Sequence, residues 1–336
     1  MDWTFASDNT IGAHPRVLEA LAACNGGALH GYGDDPETER AVAGIRALVG
    51  DHAEVALVTT GTAANVLGIA HVLRPHECVV CPASAHIVND ESTAPGAYGV
   101  TTLPVATPDG KLRPEDVERH AGELGNPHAP QPRVVSVSQT TEAGGVYSAA
   151  ELAAIAAAAH AHGMLLHVDG ARIANAVAAL GTTPRELLTE SGVDLVSFGF
   201  SKNGALQCEA IVMLAEGLGD GLVHTVKRGM QLLSKGRFLG AQAAAMLDGD
   251  LWLDCARNAN AMAARLAEGL AASDPTVPIS RPVEASHVFA RFPADVHARL
   301  SERYAFYEWT PGEYRLLCSW ATTADDVDAF VALARG

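Results

Sequence analysis

The sequence predicts an α/β protein: a large domain built on a mostly parallel sheet, followed by a smaller C-terminal α+β domain. Two observations carry this expectation. Between residues 54 and 214, short apolar runs alternate with longer helix-patterned stretches, the arrangement that builds parallel strands joined by crossover helices. Further on the alternation stops, and 269–336 mixes short strands and helices around Pro275, Pro278, Pro282 and Pro311.

The elements follow in order. Residues 1–33 read as a polar, Gly-rich lead with one helix at 15–23. Asp35-Pro36 starts a second helix over 37–49, because proline suits the first helical turn and aspartate the cap before it. The alternation then predicts strands at 54–59, 77–81, 134–138, 164–168, 193–198 and 210–214. Helices are expected at 62–73, 113–122 and 148–161, the last opened by a capping box of Ser148 and Glu151. Residues 222–268 read as helical. The division expected is 1–248 for the lead and large domain, and 249–336 for the small one.

Composition bounds the function. The chain has 336 residues, 48% of them apolar and 18% charged, which excludes global disorder. Its net charge of −16 speaks against a nucleic-acid or anionic-membrane partner, so any anionic ligand needs a local site. Met1-Asp2-Trp3 lacks the start of a secretory leader, and no run reads as a membrane span. Cys78 and Cys81 have metal-like spacing, but they lie in an apolar run with no second pair and read as buried strand residues; no metal is expected. The expected location is the cytoplasm. Among the basic residues only four are lysines: Lys111, Lys202, Lys227 and Lys235.

No Walker, dinucleotide-binding, zinc-protease or nucleophile-elbow motif is present. Three polar segments instead sit where strands end, which is where open α/β sheets bind ligands. Thr59-Thr60-Gly61-Thr62 leads from a strand into a helix. It reads either as a phosphate cradle of backbone N–H groups or as ordinary capping. Asp169-Gly170-Ala171-Arg172 ends another strand. Its acid and base either pair with each other, or face a protonated ring nitrogen and an anionic ligand group. Ser201-Lys202-Asn203-Gly204 places a lysine after a third strand, as a solvent-facing loop residue or as a desolvated amine nucleophile. Taken together, a phosphate cradle, an acid for a pyridinium and a lysine for a Schiff base are what pyridoxal phosphate requires.

With these residues on the page the chain resembles the L-threonine aldolases, fold-type-I pyridoxal-phosphate enzymes. Ser7-Asp8-Asn9-Thr10 resembles the family's opening S-D-x-T, Tyr32-Gly33-Asp34-Asp35-Pro36 its YGxDP, and Gly61-Thr62-Ala63-Ala64-Asn65 its GTxAN. His167 to Arg172 matches HxDGAR, and Ser201-Lys202 the family's serine and lysine. Gln139-Thr140-Thr141-Glu142-Ala143 stands where the commoner branch has ENTHN, and the Lys202-Asn203-Gly204 turn is similar to that of the bacterial low-specificity branch.

The resemblance implies a large domain of the PLP-dependent transferase type and the roles of particular residues. Lys202 would carry the cofactor and Asp169 face its ring nitrogen. Gly61 and Thr62 would bind its phosphate, with Arg237 reaching across a subunit interface; Lys227 and Arg228 lie in the same basic patch. His86 would stack on the ring, supported by Glu91. Arg172 and Arg315, aided by Ser7, would clamp a substrate carboxylate. His128 would lie near the substrate hydroxyl, and His86, His128 or a water between them would remove its proton. Tyr32 would contribute from a partner chain in a homodimer or homotetramer. The implied reaction is reversible cleavage of L-threonine and related β-hydroxy-α-amino acids to glycine and an aldehyde. Its alternatives are a β-eliminating lyase, a transaldolase or phenylserine-type aldolase on the same fold, or a non-catalytic relative.

Overall fold

The structure, a computed structural model, describes residues 1–273 and 277–336. Seven strands form the large sheet: β1 (Glu54–Val58), β2 (Glu77–Pro82), β3 (Thr101–Val105), β4 (Gln131–Ser138), β5 (Leu165–Gly170), β6 (Leu195–Gly199) and β7 (Glu209–Met213). Their order is β1-β7-β6-β5-β4-β2-β3. Every neighbouring pair is parallel except the two that β7 makes, which are antiparallel. Three further strands, β8 (His287–Arg291), β9 (Tyr307–Thr310) and β10 (Glu313–Leu317), make a small antiparallel sheet in the order β8-β10-β9.

The expected elements are present with ends displaced by a few residues. The helix Pro15–Ala23 and the helix Ala149–Ala161, whose Ser148 and Glu151 form the capping box, stand where the sequence puts them. Strand β3 escapes the sequence reading because Pro104 interrupts it; a proline is tolerated there because β3 is an edge. The expectation of continuous helix over 222–268 is corrected. Helices Leu222–Arg228, Arg237–Leu247 and Leu251–Ser273 are separated by irregular chain, with Met230 in the left-handed region after Gly229. No helix among the described residues is long and apolar enough to cross a membrane.

Two apolar cores organise the chain. The larger packs the central strands between helices, with Val135, Leu166, Val196 and Phe198 at its middle. The smaller gathers Leu266, Val288, Leu316 and Phe330. Helix Leu251–Ser273 joins them, giving Trp252 and Cys255 to the first and Ala263 and Leu266 to the second. The N-terminal lead also crosses over. Phe5 is buried in the smaller core, its carbonyl accepts from Leu317 N at 2.9 Å, and Asp2 N donates to Arg303 O at 2.7 Å. The residues after Phe5 are thereby held against the carboxyl ends of the large sheet.

Those ends pack closely. Asp169 is in register with Ser138 on one side and Ser197 on the other. A Cβ at Gly170 would stand 2.7 Å from Ser197 O, and one at Gly199 would stand 2.7 Å from the Ala171 Cα and collide with Ala171 O. Only glycine lets β6 pass so near the turn that follows Asp169. Gly199→Ala is expected to lower folding stability by about 1–3 kcal/mol through this overpacking. Urea denaturation checks it, and an unchanged midpoint would contradict the close approach.

Candidate active site

The polar segments converge on two adjoining chambers at the carboxyl ends of the strands, of about 300 and 360 Å³. Both are lined by Asn9, His86, Asp169, Ala171 and Lys202. The first also takes Thr60, Gly61, Thr62 and Glu209; the second takes Ser7, Glu142, Arg172, Trp309 and Arg315.

Lys202 lies in the one-turn helix Ser201–Asn203 directly after β6. Burial pushes its ammonium below the usual lysine value, and nearby Arg172 adds to this. It belongs to no hydrogen bond or ion pair among the described residues, so the amine is left to a ligand. The turn is shaped from below by Glu209 on β7. Its carboxylate accepts from Phe200 N at 2.8 Å and Ser201 N at 3.4 Å. Ser201 Oγ accepts from Cys208 N at 3.0 Å, tying the turn to β7 again. The sequence reading passed over Glu209, which is the first residue of β7 and stands just before the strand expected at 210–214.

Asp169 accepts from Asn65 Nδ2 at 2.7 Å and Ala171 N at 3.0 Å. The same Asn65 amide donates to Glu91 Oε1 at 3.0 Å, and Glu91 Oε1 meets His86 Nδ1 at 2.9 Å. Asn65 and Glu91 are buried. The hydrogen bond to Glu91 holds the His86 imidazole above its ordinary pKa despite partial burial. Beneath Asp169, His167 lies between Ser136 Oγ at 2.8 Å and Ser197 Oγ at 3.1 Å, and burial pushes it down to about 4. A neutral histidine therefore packs under the acid without neutralising it.

Local pairing of Asp169 with Arg172 does not occur. Arg172 pairs instead with Asp8 of the lead, Nε to Oδ2 at 2.6 Å and Nη2 to Oδ1 at 2.9 Å. Arg315, on β10, lies over the Trp309 ring at 5.1 Å and has no ion pair among the described residues. Its Nε is buried without a partner, and burial beside Arg172 lowers its pKa. An unpaired guanidinium next to a neutralised one is a site for an anion.

The helix Gly61–Val72 opens toward the first chamber. Thr60 caps it by accepting from Ala63 N at 3.1 Å, and a Cβ at Gly61 would meet nothing within 4 Å. Ala63 N–H is taken by this cap, while the Gly61 and Thr62 N–H groups have no hydrogen-bond partner among the described residues and are left for a phosphate. With the free amine of Lys202 and the anchored Asp169, these residues fit pyridoxal phosphate.

Three expected residues lie outside the chambers of their own chain; two of them, Tyr32 and Arg237, are expected from a partner chain. His128 is exposed on the loop before β4, and eight strand residues (about 26 Å at ~3.3 Å each) separate that edge from the chambers. The fold therefore does not bring His128 to the site of its own chain. Tyr32 is 54% exposed beside a cleft along β1, under Lys227 at 4.9 Å. Arg237 donates to Gly26 O and Gly27 O.

Burial raises the Glu209 carboxyl from 4.5 to about 7. Such a group keeps its proton in the folded chain where the unfolded chain has lost it. Its stabilising contribution is present below about 4.5 and is lost as pH rises toward 7. Relative to Glu209→Gln, the cofactor-free wild type is expected to lose about 3 kcal/mol of stability over that window. Chemical denaturation at several pH values checks it; a constant difference would contradict the raised value.

Comparisons with known proteins show the family. The beta-eliminating lyase family matches residues 4–294. A low-specificity L-threonine aldolase of Pseudomonas aeruginosa is 40% identical, over 98% of this chain and 96% of that one. A second, from a Pseudomonas species, is 38% identical over 95% and 93%. The solved structure of a Leishmania major threonine aldolase superimposes with a TM-score of 0.93 at 30% identity, covering 99% of this chain and 98% of the other. Family, fold and site lead to one conclusion: the chain belongs to the beta-eliminating lyase family, as a pyridoxal-phosphate-dependent lyase of the low-specificity L-threonine aldolase type.

Proposed function

We propose that this enzyme cleaves L-threonine, L-allo-threonine and related β-hydroxy-α-amino acids reversibly to glycine and an aldehyde. The observation that carries the reading is the unpaired guanidinium of Arg315 in the chamber that Lys202 and Asp169 also line. An α-amino acid offers that chamber a carboxylate for Arg315 and an amine for the position of Lys202.

Each residue then has a task. Gly61 and Thr62 would hold the cofactor phosphate with their N–H groups, Lys202 would carry the cofactor, and Asp169 would hold a proton on its ring nitrogen. Bound pyridoxal phosphate supplies an electron sink for the pair released at Cα. Arg315 grips the substrate carboxylate, with Arg172 and Ser7 beside it. This grip would fix rotation about N–Cα and so orient the Cα–Cβ bond for cleavage. His86 would pack against the ring, and Glu91 through its 2.9 Å contact fixes the imidazole's orientation. In this reading Tyr32 and Arg237 act from a second copy in a homodimer or homotetramer, in the cytoplasm. His128 has no task within its own chain.

Two variants test the assignment. Lys202→Ala is expected to abolish the visible absorbance of the linked cofactor and nearly all aldehyde release; a retained band would remove Lys202 from the role. Arg315→Ala is expected to keep the band and raise KM for L-threonine about 10- to 100-fold, the loss of one charge-assisted contact. An unaltered KM would place the carboxylate elsewhere.

A further inference from the structure

The task left unassigned is recognition of the substrate's hydroxyl, and one side chain in the second chamber is half-satisfied. Glu142 follows β4 and shares the chamber wall with Arg172, Lys202 and Arg315. Its Oε1 accepts from Ser138 Oγ at 2.7 Å and from His86 N at 3.0 Å. Its Oε2 is sealed from solvent and meets no donor, and neither does Thr140 Oγ1 in the same wall. Burial raises its carboxyl above the ordinary glutamate value, against the pull of the Ser138 donor. Glu91 Oε2 also lacks a donor but does not line the chamber, and the remaining carboxylates differ. Asp169 is occupied by Asn65 and Ala171, and Asp8, outside the chamber wall, by Arg172. Asp90 lines the chamber but is exposed to water. A buried carboxylate oxygen with no donor is costly, and a ligand hydroxyl would complete it.

We propose that Glu142 recognises the β-hydroxyl of the substrate, accepting its hydrogen bond and then its proton as the Cα–Cβ bond breaks. The inference rests on the aldolase reading above. In the step, the proton passes from the hydroxyl oxygen to the Glu142 carboxylate. The O–H pair becomes the second bond of the aldehyde carbonyl, and the Cα–Cβ pair stays with the glycine fragment. In the reverse direction Glu142 returns the proton to the new hydroxyl. Placement is what selects Glu142: it is fixed through one oxygen to the backbone of His86 and to β4, leaving the other for a donor that only a hydroxylated substrate brings.

The test uses holoenzyme carrying Glu142→Gln, which keeps an oxygen for Ser138 and His86 N but cannot take a proton. Aldehyde release from L-threonine is expected to fall about 10²- to 10⁴-fold. Two readouts that involve no hydroxyl should stay within about threefold of wild type: the dissociation constant for glycine by calorimetry, and exchange of the glycine α-hydrogen with deuterated solvent. Glu142→Asp, which keeps a carboxylate, should recover at least about tenfold over the Gln variant. The proposal is overturned if cleavage, exchange and glycine binding fall together, if cleavage is unchanged, if Asp does no better than Gln, or if the Gln variant no longer holds cofactor. A wild type that exchanges glycine but cleaves no β-hydroxy amino acid would instead sink the aldolase reading, and this proposal with it.

Discussion

The bidentate pair between Asp8 and Arg172 is the contact on which the site depends. It joins the N-terminal lead to the turn after β5, across 164 residues of sequence. Burying two charges is favourable only with good geometry and further hydrogen bonds, and here both Arg172 donors in the pair lie within 2.9 Å of a carboxylate oxygen. Phe5, three residues earlier, is locked in the smaller core, so the pair also ties that core to the large sheet. Because Asp8 neutralises Arg172, the cationic groups left without an ion-pair partner in the chamber are Arg315 and Lys202. Those two groups, an unpaired guanidinium and an unpaired amine, limit what the chamber can hold.

The sheet explains why these groups meet. Parallel strands present their carboxyl ends on one edge, and β4, β5 and β6 bring Ser138, Asp169 and Ser197 into one row there. The acid is anchored sideways by Asn65 from the helix Gly61–Val72, the same helix whose open N-terminus suits a phosphate. One element thus sets the spacing between its own N-terminus, the proposed phosphate site, and Asp169. The single reversed strand, β7, supplies Glu209 beneath the lysine turn. The reversal is useful: the first residue of β7 stands beside the last residue of β6, Gly199, where the turn begins.

Much of this was legible from residue order alone. Short apolar runs ending in Thr60-Gly61-Thr62, Asp169 and Ser201-Lys202 located the sheet edge and pointed to the cofactor, because strand periodicity and helix caps are local signals. What stayed hidden was pairing at a distance. Nothing local says that Arg172 belongs to Asp8 rather than to Asp169, or that Asn65 bridges Asp169 and Glu91. Glu209 and Glu142 were invisible as site residues for the same reason, since an acid in or after a strand carries no mark of what it faces. The break after Arg228 was missed because helical composition continues through a segment that Gly229 and Gly236 interrupt. His128 was placed near the substrate by resemblance of motif, and the fold puts it at the opposite edge of its own chain.

The most direct test is a crystal structure of the enzyme with pyridoxal phosphate and glycine bound. The account predicts the glycine carboxylate on the Arg315 guanidinium, with Arg172 still held bidentate by Asp8. A carboxylate bound away from Arg315, or an Asp8 displaced from Arg172 to make room for it, would contradict the account.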